Sequence, residues 1–233
     1  MVKLSKRLQN AEKKHDLTRT YSIQDAIAIL KDVAPLKFDQ TMELSLSLGI
    51  DTKKADQQVR GTVNLPHGTG KTARVVVFAS GDKAADATRA GADFVGSDDL
   101  AEKIMEGWVD FDAVVATPDM MRVLGKLGKV LGPRGLMPSP KAGTVTQDVG
   151  RAVKEIKAGK IEVKADKFGN VNTVFGKLSF GEKELQENYE ALLASILKLR
   201  PSSHKGTYVK GIHVSSTMGV GVSIENQYAS IAT

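Results

Sequence analysis

The sequence contains no cysteine. That excludes disulfides, thiolate metal sites and a cysteine nucleophile, and it fits a reducing compartment. No run of about 20 apolar residues is present, so no segment is expected to span a membrane. The first residues, Met1-Val-Lys-Leu-Ser-Lys-Arg7, are polar and basic. They lack the apolar middle of a secretory signal, and the expected location is the cytoplasm. The four histidines, His15, His67, His204 and His213, fall at no metal-ligand spacing, and neither HExxH nor GxSxG occurs. Carboxylates are plentiful, yet none forms a legible acid/base pair. Catalytic residues, metal ligands and cofactors are therefore all expected to be none.

What is present is an ordinary globular composition, 41% hydrophobic and 26% charged over 233 residues, with a formal net charge of +6. The length allows one large core or two modest ones. A basic balance favours polyanionic partners, although charge by itself is a weak pointer.

The chain changes texture twice. Ser22 reads as the cap of a helix with Asp25 in its first turn, followed by Ile23, Ala26, Ile27, Leu30 and Val33 at helical spacing and ended by Pro35. Met42, Leu44, Leu46 and Leu48 then alternate with Thr41, Glu43, Ser45 and Ser47, the pattern of a strand with one wet face. After Pro66-His-Gly-Thr-Gly70 come three short apolar runs, Arg74–Ala79, Ala92–Val95 and Asp112–Ala116, separated by helical segments. Ser97 and Thr117 are expected caps, with Pro118 at a first helical position. Such a series implies an α/β layer with a parallel sheet. A last helix of this region is expected over Gln147–Ala158, capped by Thr146 and ended by Gly159. Alternation returns in Lys160–Lys177, read as two strands joined at Phe168-Gly-Asn170. An amphipathic helix follows over Glu184–Leu199, then a long alternating strand over Thr207–Glu225.

The simplest layout is a discontinuous outer domain, residues 1–67 and 160–233, with an α/β domain inserted at 68–159. The insert holds 13 Lys and Arg against 12 Asp and Glu, a net of +1. The outer segments hold the other 20 and 15, a net of +5. The basic excess thus lies mainly in the discontinuous domain, where it marks either a surface for a polyanion or an ordinary solvated basic surface.

Three motifs are open to two readings. Gly68-Thr-Gly-Lys-Thr72 resembles the end of a phosphate-binding loop. The full pattern needs a glycine at position 65, which is leucine, and a helix directly after, where Arg74–Phe78 reads as a strand. An inter-domain turn is the better reading. Gly132-Pro-Arg-Gly-Leu-Met-Pro-Ser-Pro140, with Lys126, Lys129 and Arg134, is either a structural connection or a surface that touches phosphate. Thr217-Met-Gly-Val-Gly221 is either a kink in a strand or a flat, small-residue surface against an RNA minor groove, with Met218 as an adaptable apolar contact.

One long segment carries a family likeness: Met121-Arg-Val-Leu-Gly-Lys-Leu-Gly-Lys-Val-Leu-Gly-Pro-Arg-Gly-Leu-Met-Pro138. With Leu48-Gly-Ile-Asp51, Val59-Arg-Gly-Thr62, Leu65-Pro-His-Gly68, Phe111-Asp112 and Thr217-Met-Gly219, it makes the whole chain resemble the bacterial large-subunit ribosomal protein L-one family, the ribosomal stalk protein. Asn172 and Val220 depart from the residues expected there, His and Pro or Ala. The resemblance implies an α/β chain with an α+β outer domain. The outer part is a discontinuous split β-α-β RNA-binding domain, and the insert is a Rossmann-like three-layer α/β domain without a nucleotide site. It implies RNA contacts at Lys37, Phe38, Thr41 and Glu43, at Ser215, Thr217, Met218 and Gly219, and at a nearby turn, Asp166, Lys167 and Gly169. The implied partners are the large-subunit rRNA stalk, exit-site tRNA and the chain's own operon mRNA, with repression by the free protein. Off the ribosome a monomer is expected.

Overall fold

The computed structural model describes residues 6–33 and 36–228. The elements in chain order are α1 (Lys6–Lys14), β1 (Thr20–Tyr21), α2 (Ile23–Val33), β2 (Thr41–Leu48) and β3 (Arg60–Asn64). Next are β4 (Val75–Phe78), α3 (Asp82–Arg89), β5 (Phe94–Gly96), α4 (Asp98–Met105), β6 (Ala113–Ala116), α5 (Met121–Lys126), α6 (Gly128–Leu131) and α7 (Val149–Lys157). The chain ends with β7 (Lys160–Lys164), β8 (Asn170–Lys177), α8 (Glu182–Lys198), β9 (Val209–Ser216) and β10 (Gly221–Ile224). Two compact units result: residues to Gly70 together with those from Val163, and Lys71–Glu162 between them.

The discontinuous unit is built on a five-stranded sheet in the order β1-β10-β9-β2-β8, antiparallel except for β1 against β10. Alternation sends Met42, Leu44, Leu46 and Leu48 into the core, each at most 2% exposed. Ala26, Ile27 and Leu30 of α2 and Leu185, Leu192 and Ile196 of α8 are buried as well, with α2 packed against β9 and β10 and α8 against β8. Each fully buried Leu or Ile contributes about 1.5–3 kcal/mol. The opposite face of β2, from Thr41 to Ser47, stays partly exposed. Ser22 caps α2 as expected, accepting from the Asp25 amide at 3.2 Å and donating to Asp25 Oδ2 at 2.8 Å. Pro35 lies outside the described residues.

Two expectations for this unit change. Lys160–Lys177 is no simple hairpin. β7 pairs with β3 in a separate two-stranded sheet, β8 pairs with β2, and a single bridge, Ala165 to Val171, joins the two segments. An alternating pattern specifies a face but not a partner. Thr207–Glu225 is two strands, not one: β9 and β10 run antiparallel, with Gly221 opposite Ser215, and the chain reverses through Thr217–Val220.

The other unit is a parallel sheet ordered β5-β4-β6. Val76 and Phe78 pack with Leu100, Ile104, Leu124, Leu127 and Leu131 on one face. Val75 and Val77 pack with Ala87, Val149 and Val153 on the other. Helices therefore cover both sides of β4, which explains its unbroken apolar run and gives the three-layer arrangement. The caps differ in detail. Asp148, not Thr146, caps α7, its Oδ1 accepting from the Arg151 amide at 3.1 Å. Thr117 leads into a single 3₁₀ turn, Pro118–Met120, before α5, without a side-chain cap bond.

Candidate nucleic-acid interface

The main cluster forms where the chain enters β2 and where β9 turns towards β10. Lys37 and Phe38 lie on the exposed approach to β2, with Phe38 51% exposed. Ser215 is registered opposite Glu43, and Ser216 opposite Met42. Since side chains alternate, Thr41, Glu43, Ser215 and Thr217 share the face turned away from the helices. Three bonds join Thr217 to Thr41. The Thr217 amide donates to the Thr41 carbonyl at 3.1 Å, the Thr41 amide to Thr217 Oγ1 at 3.0 Å, and the Thr217 hydroxyl to the Thr41 carbonyl at 3.3 Å. Lys177 Nζ donates to Thr41 Oγ1 at 2.9 Å.

The next residue points outward: the Met218 side chain is 55% exposed, while its amide donates to Oε1 of the fully buried Gln40 at 3.0 Å. The Gly219 amide donates to the Ser216 carbonyl at 2.8 Å and closes the turn. A Cβ on Gly219 would come within 2.1 Å of Ser216 Oγ, so a larger residue requires the buried Ser216 hydroxyl to move aside. The result is a rigid platform of hydroxyls, one carboxylate, an exposed phenyl ring and an exposed thioether, with Lys37 and Lys177 beside it. Such a surface can exchange hydrogen bonds with sugar hydroxyls and pack on bases. Ionised Glu43 only accepts hydrogen bonds, so it suits a 2′-hydroxyl or a base amino group and repels phosphate.

Asp166, Lys167 and Gly169 do not join this cluster. They form the turn before β8, at the far end of β2: the Leu48 amide donates to the Gly169 carbonyl at 2.9 Å, and Thr52 Oγ1 to the Lys167 carbonyl at 2.6 Å. At about 3.3 Å per residue, this end of β2 is roughly 23 Å from Thr41. Asp166 Oδ1 accepts from the Asn170 and Phe168 amides, both at 2.8 Å. These amides, that of Asn170 first, hold the carboxyl below its ordinary value. Gly169 takes φ of +85°, which an L side chain rarely adopts.

The loop-like segment Gly68–Thr72 is followed by β4 and no helix, so it lacks the N-terminus that would hold phosphate. The buried Asn188 anchors its start, accepting from the His67 amide at 3.0 Å and donating to the Gly68 carbonyl at 3.0 Å and the Phe175 carbonyl at 2.9 Å. Lys71 Nζ pairs with Asp112 Oδ1 at 2.5 Å. In the inserted unit, Arg122, Lys126, Lys129, Arg134 and Lys141 are exposed, and no acidic residue lies between Asp119 and Asp148. Its net of +1 thus conceals a local basic surface. Among the described residues, no group of three or more His, Cys, Asp or Glu gathers as a metal site.

Sequence reading did not single out Gln40 or Lys177. Their contacts to Met218 and Thr41 span 178 and 136 residues, and no local pattern reports them.

A profile of the Ribosomal protein L1p/L10e family matches residues 30–220. The large ribosomal subunit protein uL1 of Chlamydia trachomatis serovar L2b is 57% identical over 227 residues, covering 97% of this chain and 98% of that protein. The protein of the same name from Chlamydia pneumoniae is 56% identical over 227 residues, with the same coverage of both chains. That of Pseudarthrobacter chlorophenolicus is 55% identical over 233 residues, 100% of this chain and 99% of the relative. The match takes in both segments of the sheet and the inserted unit, and the chain belongs to the ribosomal protein L1p/L10e family.

Proposed function

We propose that the chain binds a folded stalk element of large-subunit rRNA at the Phe38–Met218 end of its sheet. The coarser role rests on family membership: the chain is a structural protein of the large ribosomal subunit and not an enzyme, and its place is the ribosome. The observation that carries the finer reading is the threefold tie between Thr41 and Thr217, which locks hydroxyls, Glu43 and Met218 into one outward-facing platform. Lys37, Phe38, Thr41, Glu43, Ser215, Thr217, Met218 and Gly219 are the proposed contacts. Asp166, Lys167 and Gly169 form a second contact, reached by an RNA that runs the length of β2.

Two further roles are proposed with it. The acid-free basic surface around Lys126, Lys129 and Arg134 supports contact with the phosphates of exit-site tRNA during its release. An element of the chain's own operon mRNA that imitates the stalk would occupy the same platform, so the free protein represses its own translation. The test is filter binding of a stalk rRNA fragment against a random duplex of equal length across a salt series. Specific binding should be at least about 10³-fold tighter than to the random duplex. Equal binding to both would overturn the proposal.

A further inference from the structure

We infer that Arg7 and Gln40 are positioning residues that present Met218 to RNA by holding its backbone from two sides. The inference rests on the RNA reading above and adds the means by which its most exposed apolar group is placed. Met218 has a long, unbranched side chain, so its aim depends on how firmly its own backbone is held. That backbone lies in a turn, outside the strand ladder that would otherwise bond it. Its amide donates to Oε1 of Gln40, a side chain with 0% exposure and so a fixed acceptor. Its carbonyl accepts from Arg7 Nη2, which arrives from α1 across 211 residues of sequence. Arg7 is half-buried, and its Nη1 is enclosed without a partner among the described residues. The guanidinium is therefore turned into the protein, towards the turn, and not outward as a cation for phosphate.

The two holders differ in kind. Gln40 is neutral and belongs to the approach to β2, whose Thr41 already grips Thr217. Arg7 is charged, and a charge-assisted bond to a carbonyl is stronger than a neutral one. Together they fix the peptide groups on both sides of the Met218 Cα, leaving only the side-chain torsions free. Arg7 thus gives α1 a direct role at the RNA site, although none of its residues needs to touch RNA.

The test uses the full chain and a stalk rRNA fragment. Arg7→Ala should weaken binding about tenfold, the size expected for a lost hydrogen bond to a charged group. The dependence of affinity on salt should stay as in the wild type, because no phosphate contact is removed. In the free protein, methyl-labelled methionine should show the Met218 resonance shifted by Arg7→Ala and largely restored by Arg7→Lys, which retains a donor. Arg7→Ala combined with Met218→Ala should bind no worse than Met218→Ala alone, as for residues that act through one another. A salt slope reduced by about 0.9 would make Arg7 a phosphate contact and overturn the inference. Additive losses, or an unmoved Met218 resonance, would also overturn it. Wild-type binding by Met218→Ala would instead remove the RNA site assignment, and the positioning role with it. Gln40→Ala is avoided as the primary test because Gln40 is fully buried and its loss endangers the fold.

Discussion

The two sheets of this chain solve the same problem differently. The parallel sheet of the inserted unit has helices on both faces, and all four residues of β4, Val75–Phe78, are buried. The antiparallel sheet of the discontinuous unit has helices on one face only, and β2 alternates buried leucines with exposed polar residues. A sheet covered on both sides has no surface left to offer a ligand, so the inserted unit can recognise partners only through its loops and the outer faces of its helices. An uncovered face offers a row of side chains already fixed by the ladder. This contrast explains why the proposed RNA platform lies on β2 and β9, and why the basic residues of the insert lie in the Arg122–Lys141 segment instead.

The contrast can be broken at several points. The largest effect should come from Phe78→Ala, which opens a cavity in a strand packed on both sides and should cost about 3–5 kcal/mol of stability. Denaturant unfolding followed by Trp108, the sole tryptophan and a residue of that unit, would measure it. The affinity of the folded protein for stalk RNA should not change. In the discontinuous unit, Asn188→Ala strips partners from His67, Gly68 and Phe175 and should cost about 2–3 kcal/mol, read from thermal melting by far-UV circular dichroism. Thr217→Ala should act on binding more than on stability. It leaves the Thr41 amide without its acceptor and should weaken stalk RNA binding by about 1–3 kcal/mol in a filter assay. Replacing Lys126, Lys129 and Arg134 together by alanine should leave stalk affinity nearly intact while lowering the salt slope of tRNA binding by about 2–3. A large loss of stalk affinity in that triple variant would erase the proposed division of labour.

The smallest effect is expected at Asp166. Its folded carboxyl titrates below its unfolded value, so its contribution is complete above the ordinary carboxylate range, near pH 4. It is lost as pH falls through the lowered folded value. Asp166→Asn should therefore lower the melting temperature slightly at neutral pH, and the difference should close in acid. A constant difference down to the most acidic condition would assign the effect to packing instead.

Much of this was legible in the residues because the periods are local. Met42, Leu44, Leu46 and Leu48 announced a one-faced strand, and Val75–Phe78 a strand covered on both sides. Partner choice was not legible. Nothing in Ile161 or Val163 says that β7 joins β3 and not β8, because either pairing satisfies the same alternation. The turn at Thr217–Val220 looked like a kink because Gly219 and Gly221 signal only close approach, and the backbone reverses there through the Gly219 to Ser216 bond. The proposed contact residues were reached through family likeness. Their geometry required the fold, since Asp166–Gly169 lies at the opposite end of β2 from the others, and Arg7 meets Met218 only across the whole chain.

The place of β2 in its sheet also sets an order of events during synthesis. Its neighbours are β8 and β9, and its bonds to Lys177 and Thr217 span 136 and 176 residues. In the inserted unit, by contrast, the Val75 amide finds Asp93 only 18 residues on, and the Arg74 amide finds Asp112 after 38. At about 5–20 residues per second, a nascent β2 waits roughly 7–27 s for its first partner strand to be made. The middle of the chain can fold while the beginning is still unpaired, which reverses the usual N-to-C order. For that interval the apolar face formed by Met42, Leu44, Leu46 and Leu48 lacks the neighbouring strands that flank it in the finished sheet.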